Sequence, residues 1–234
     1  MASHGKKRHM KRLAAPAAHP ILRKEHLWLA VAKPGAHAQS HAVPLIVLLR
    51  DVLKVATDTR EAQKIASSGQ VLVDGRVVSD LKLPVGLTDV VSLPKLNASF
   101  IVVNVKGKLA VRKEASKGGS KLCKVTGKRL LSKDKVQLST HDGRTLVVSD
   151  KKYAVGDTVR IAVPKQTILE HLPLAKGARC YVFQGRHAGT IGKLEEIVEF
   201  PGITRSNAKI AGEGGSGTTT LKEYVFVVDK EFSV

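Results

Sequence analysis

From Pro44 the chain places Leu45, Leu48, Leu49, Val52, Leu53 and Ala56 at i, i+3, i+4, i+7, i+8 and i+11, one apolar face of a helix. Pro44 suits the first turn of that helix. Asp58 reads as the N-cap of a second helix, with Glu61 three residues on in the capping-box position. The second helix offers Ala62, Ile65 and Ala66 to a core, and Gly69 stops it. The period then changes from 3.6 to 2. QVLVDGRVV predicts two short strands about an Asp74-Gly75 turn, and DVVSL (89–93) predicts another. After Pro94 the helical signal vanishes. FIVVNVKGKLAVRKE is two alternating runs around Lys106-Gly107-Lys108, KVQLSTHDGRTLVVSD is a hairpin around Asp142-Gly143, and YAVGDTVRIAV is a strand behind a turn. Between them KEASKGGSKLCKVTGKRLLSKDK reads as loop and strand. From Leu172 the chain again alternates, with Arg205–Thr220 expected as a glycine-rich flexible loop and Leu221–Val228 as a closing strand. The expected fold class is α+β and multidomain: a small αβ unit, a β-barrel-like central domain and a small C-terminal β-barrel.

The stretch GRHAGTIG (185–192) raises the question of a phosphate-gripping loop. A dinucleotide fingerprint needs GxGxxG between strand and helix. Here Gly185 and Gly189 are separated by three residues, and the GK[ST] ending of a P-loop is absent. CYVF before it alternates like a strand, and Pro201-Gly202 soon ends KLEEIVEF after it. Strand, turn, strand is the reading. Gly185, Gly189 and Gly192 then serve positive φ and close backbone approach, as Gly69, Gly75 and Gly143 serve their own turns.

Charge changes the picture most. The 234 residues carry a net charge of +19. The excess is uneven: net +7 in residues 1–40, 0 in 41–94, +11 in 95–171 and +1 in 172–234. Such a chain is built for a polyanion, since each cation set on a phosphate releases condensed counterions. Lys6, Lys7, Arg8, Lys11 and Arg12 crowd one basic, proline-punctuated arm, which cannot fold alone and is expected to order on RNA. Trp28, Leu27 and Leu29 are expected to dock the end of that arm. Lys113, Lys117, Lys121, Lys124, Lys128, Arg129, Lys133 and Lys135 form a second cluster. Aromatics are only 4% of the chain, so shape and phosphate recognition of folded RNA is expected rather than single-strand reading.

Other chemistries find little support. The two cysteines, Cys123 and Cys180, form no CxxC, and the histidines lack a metal-ligand pattern, so neither metal nor cofactor is expected. The apolar runs 27–32 and 45–49 fall far short of a membrane span, and a cytoplasmic protein with no membrane partner is expected. GxSxG, HExxH and Walker patterns are absent, and no small-molecule substrate is expected. Asp142, the most tempting catalytic base, sits beside Gly143, which favours a hairpin turn over catalysis.

Two segments resemble known families. TREAQKIASSGQVLVDGRVV is similar to the small RNA-binding domain first named for bacterial ribosomal protein S-four; that resemblance implies RNA contact by Arg60, Lys64 and Arg76, with Arg50 and Lys54 on the first helix. Gly177, Val182, Gly185, Gly189, Ile191 and Gly192 resemble a KOW motif, which implies an SH3-like barrel and makes Arg186 a further RNA-binding candidate. The order of basic arm (1–42), S-four-like domain (43–94), β-rich basic domain (95–171) and KOW barrel (172–234) resembles the archaeal and eukaryotic e-type family of small-subunit ribosomal protein number four. HGKKRHMKRLAAP, PLIVLLRDVLK, KLCKVTGK and THDGRTL carry the same likeness. Short loops and no long extension after Val234 look archaeal. The resemblance implies a non-catalytic constituent of the small subunit, partnered by its rRNA and by neighbouring small-subunit ribosomal proteins. A free RNA-binding regulator or assembly factor is the alternative, and an RNA-modifying enzyme a remote one.

Overall fold

The computed structural model describes residues 9–114, 119–132, 135–200, 205–212, 217–229 and 232. Strand β1 (Met10–Lys11) pairs antiparallel with β2 (Trp28–Leu29). The arm expected to await RNA is, from here on, laid against the first globular unit: Ala15, Ala18 and Leu29 join its core. Of the three residues expected to dock it, only Leu29 does so. Strand alternation turns its neighbour Trp28 out to solvent, and Leu27 is exposed as well.

β3 (Val43–Pro44) leads into α1 (Leu45–Val47), which widens at once into a π-helical turn over Leu48–Val52. This helix is shorter than the apolar spacing predicts. Lys54, at φ 52°, ends it in the left-handed region, yet Leu45, Leu48, Leu49 and Ala56 all reach the core. α2 (Thr59–Ser67) follows, with Asp58 at its N-cap. The Asp58 side chain makes no cap bond. Instead Glu61 reaches back one residue further, accepting hydrogen bonds from the Thr57 N–H (2.8 Å) and hydroxyl (2.9 Å). Gly69, at φ 72°, closes α2 by donating to Ala66 O (3.1 Å).

β4 (Leu72–Val73) and β5 (Arg76–Val77) flank the expected turn, where Asp74 and Gly75 both have positive φ. β6 (Pro84–Val85) returns to pair with β3. β7 (Val90–Leu93), β8 (Ala98–Val105) and β9 (Lys108–Glu114) complete a sheet of order β5-β4-β7-β8-β9. The hairpin expected to open the central domain thus extends the first sheet, and residues 94 and 95 lie inside it. A single helical turn, Pro94–Leu96, and Asn97 at φ 47° reverse the chain so that β8 lies beside β7.

β10 (Ser120–Ser132) is one thirteen-residue strand, in place of the expected loop and strand. β11 (Lys135–Thr140) and β12 (Thr145–Val148) follow on one side, β13 (Thr158–Ala162) and β14 (Ile168–Leu172) on the other, in the order β12-β11-β10-β13-β14. The first half of β10 pairs with β13 and the second with β11, across a register shift at Val125–Gly127. Cys123, Val125, Val136, Leu138, Val159 and Ile161 fill its core.

β15 (Arg179–Val182), β16 (Ile191–Val198), β17 (Asn207–Gly212), β18 (Gly217–Leu221) and β19 (Val225–Val227) form the third sheet, in the order β18-β17-β16-β15-β19. Much of the expected flexible loop is therefore the β17–β18 ladder, whose small and polar residues still pair by backbone. The closing strand begins later than its pattern suggests, because Lys222–Tyr224 is a helical turn. Leu87 and Val103 of the first unit share a further core with Tyr181, Phe226 and Val228 of the third.

Candidate nucleic-acid interface

The glycine stretch is a structural joint. Gly185 and Gly189 have φ 91° and 98°, as a turn between β15 and β16 requires. Gly189 also presses on the β8–β9 turn: a Cβ there would lie 3.1 Å from Lys106 N, and Lys106 N–H donates to Ala188 O at 3.1 Å. At Gly192 a Cβ would come within 2.2 Å of Ala211 O, so only glycine lets β16 lie against β17. No helix begins here, and the Ala188, Gly189 and Thr190 N–H groups are spent on carbonyls of the turn and of β15.

The expected RNA-binding residues divide by burial. Arg60 and Lys64, one turn apart on α2, are both exposed along one side, and Arg76, Lys54, Lys11, Arg129 and Arg186 also reach solvent. Arg50 is bound by its neighbour Asp51 at 2.7 Å. Lys128 is accessible along its stem, but its amine donates to Lys151 O (2.8 Å) and Tyr153 O (2.6 Å). Lys6, Lys7, Arg8, Lys117 and Lys133 lie outside the described residues.

Three candidates are corrected outright. Arg12 is 1% exposed and donates to Leu22 O (2.5 Å) and Glu25 (2.9 Å), with Asp51 3.7 Å away. Lys124 is buried, its amine donating to Glu223 O and Val225 O at 2.7 Å, which ties the central sheet to the third. Burial pulls that amine down to about 8. Lys121 meets three carboxylates: Asp89 (2.5 Å), Asp74 (2.8 Å) and Asp142 (3.1 Å). Lys121 and Lys124 stand in a strand among apolar residues and Arg12 opens a short helical turn, and nothing local reveals that these positions face inward.

The Lys121 cluster joins two sheets. Asp74 comes from the β4–β5 turn, Asp89 from the loop before β7, and Asp142 from the β11–β12 turn. Arg144 binds both Asp74 and Asp142, and His37 sits 3.0 Å from Asp89. Burial raises the Asp89 and Asp142 carboxyls, but the Lys121 charge, with His37 and Thr140 as hydrogen-bonding partners respectively, holds both well below the usual range. Burial likewise opposes the Lys121 charge, and the three acids outweigh it and raise its amine. Asp142, the catalytic candidate, is thus held ionised by fixed partners and is itself buried.

Cys123, His141 and Asp142 bring metal-type donor atoms within 4.8 Å of one another. These donors are committed elsewhere. His141 Nδ1 accepts from Lys124 N–H (3.2 Å) and its Nε2 faces Leu87 O (3.3 Å), Asp142 is bound to two cations, and burial pushes the Cys123 thiol up, away from thiolate. Burial also lowers the His141 imidazole to about 4, so the ring is neutral near pH 7.

Similarity to known proteins covers the whole chain. Residues 4–40 match the RS4NT (NUC023) domain, 44–91 the S4 domain and 97–168 Ribosomal family S4e. Small ribosomal subunit protein eS4 of Methanothermobacter thermautotrophicus is 42% identical, across 100% of this chain and 97% of its own. That of Methanocaldococcus jannaschii is 41% identical, across 99% of this chain and 98% of its own. The crystal structure of the 30S ribosomal protein S4e from Thermoplasma acidophilum is similar with a TM-score of 0.70 at 33% identity, covering 82% of this chain and 98% of that one.

Proposed function

The chain belongs to the ribosomal S4e family, and on that premise we propose that its three sheets together brace folded small-subunit rRNA. It is a structural constituent of the small ribosomal subunit in the cytoplasm, not an enzyme, and its S4 domain implies RNA binding. The full-length match at 42% identity carries this reading.

The finer assignment is ours. The arm runs to residue 42, the S4-like unit extends through the β8–β9 hairpin to Glu114, the basic central unit spans 119–171, and 172–234 forms an SH3-like barrel about a KOW motif. Support for the barrel comes from five short antiparallel strands and the glycine turn between β15 and β16. The S4-like unit meets rRNA phosphates through Arg60, Lys64 and Arg76, and the arm adds Lys6, Lys7, Arg8 and Lys11. Arg129 and Arg186 extend the contact to the other two units. Neighbouring small-subunit proteins take the remaining surface. Arg60, Arg76, Arg129 and Arg186 present their side chains to solvent, which leaves them available to phosphate.

Sucrose-gradient sedimentation of native extract tests this reading. Co-sedimentation with small subunits and whole ribosomes at moderate salt is expected. Protein remaining at the top of the gradient overturns it in favour of a free RNA-binding factor.

A further inference from the structure

Between the arm and the α1–α2 segment runs an open groove of about 680 Å³, within the size range of roughly 300–1,000 Å³ that suits a small ligand. Trp28 stands on its arm side, more than half exposed, and it is the single tryptophan of the chain. Arg50 and Lys54 stand on the other side. The indole does not belong to the core: its strand neighbour Leu29 takes that role, and His9 meets the ring edge-on at 5.9 Å. Lys11 is its cross-strand partner.

We propose that this groove receives one unstacked nucleotide of the rRNA, its base on the Trp28 indole and its phosphate on Lys54 and Lys11. The inference rests on the rRNA-binding reading above and names a subsite within it.

Charge selects the occupant. Trp28 lies across from Lys11 on the neighbouring strand, and Lys54 lines the same groove, so the exposed ring has cations beside it. That juxtaposition suits a base with its phosphate better than a continuous apolar protein surface. Two acids of the groove are already neutralised: Glu25 by Arg12 at 2.9 Å and Asp51 by Arg50 at 2.7 Å. Asp58, the N-cap of α2, is the remaining acid of the lining. Arg12, buried beneath, has an Nη1 with no hydrogen-bond partner.

Titration of the full-length chain with transcribed archaeal small-subunit rRNA tests the proposal, because a single tryptophan reports its own site. Binding is followed in parallel by filter retention. Stacking is expected to quench the emission in step with retention. Trp28→Phe, which keeps a ring, is expected to bind nearly as the parent does, and Trp28→Leu to bind about 5- to 150-fold more weakly. Retention with unchanged emission, together with full affinity in Trp28→Leu, overturns the nucleotide site while leaving rRNA binding intact. Loss of subunit incorporation in Trp28→Leu at unchanged rRNA affinity assigns the groove to a protein neighbour and also overturns it. Absence of retention by the parent chain overturns the rRNA reading and this subsite together.

Discussion

Lys121 keeps its charge without water because three carboxylates surround it. Removing one partner of such a cluster leaves like charges buried together. Lys121→Met is expected to cost about 3–5 kcal/mol in urea unfolding. A phosphate-binding lysine would behave oppositely, losing RNA affinity at unchanged stability. His141 gives the pH dependence. Its folded pKa of about 4 lies below the ordinary 6.5, so between these values the unfolded chain takes up a proton that the folded chain refuses. Stability therefore falls as pH drops from 6.5 to 4, by about 3 kcal/mol for this ring. Thermal melts through that window should show the fall, and His141→Gln should flatten it. The depressed Asp89 and Asp142 carboxyls act further down, their stabilisation being lost only as pH falls below about 4.

At the scale of elements, short-range signals are the most legible. The Asp74-Gly75 turn, the Gly69 stop and the Asp142-Gly143 hairpin depend on residues a few positions apart, so their chemistry is visible locally. The β8–β9 hairpin is equally visible, but not the sheet it joins, because pairing with β7 is decided by burial of Val102 and Leu109 against the helices. The long β10 reads as loop and strand because lysines occupy it, and the partners that bury Lys121 and Lys124 lie far off in the chain, at Asp74, Asp89, Asp142, Glu223 and Val225. The glycines can be ranked by what surrounds them. Gly192→Ala, with a Cβ 2.2 Å from a carbonyl oxygen, is expected to destabilise by about 3 kcal/mol or more. Gly107→Ala has positive φ but open space, and about 1 kcal/mol is expected from conformation alone. Comparative urea midpoints check the order.

For the whole molecule, net charge points correctly to an RNA partner but overstates which cations face it. Arg12, Lys121 and Lys124 serve the inside instead. Family membership is legible in the order of segments along the chain, since each is a separate local pattern. The junctions between them are not, because Tyr181 meets Asn104 and Lys124 meets Val225 only in the fold. The exposed set gives the remaining prediction. Replacing Arg60, Lys64 and Arg76 together by Gln is expected to weaken rRNA binding. It should reduce the slope of log affinity against log salt by up to about 3, near 1 for each phosphate no longer bound. Filter binding across a salt series measures it; an unchanged slope assigns phosphate binding to the arm and the other units.

The cluster around Lys121 also imposes an order on the birth of the chain. Asp74 and Asp89 emerge during synthesis well before the lysine that neutralises them, and Asp142 and Arg144 emerge after it. A nascent chain that has reached Glu114 has every strand of its first sheet, yet holds two acids whose principal counter-charge does not yet exist. The first sheet has its own pairing and its own partners for these acids, Val90 N–H for Asp74 and Gly86 N–H for Asp89, so what is expected to wait for Lys121 is their burial, and the seam between the first two units closes only after both have been made.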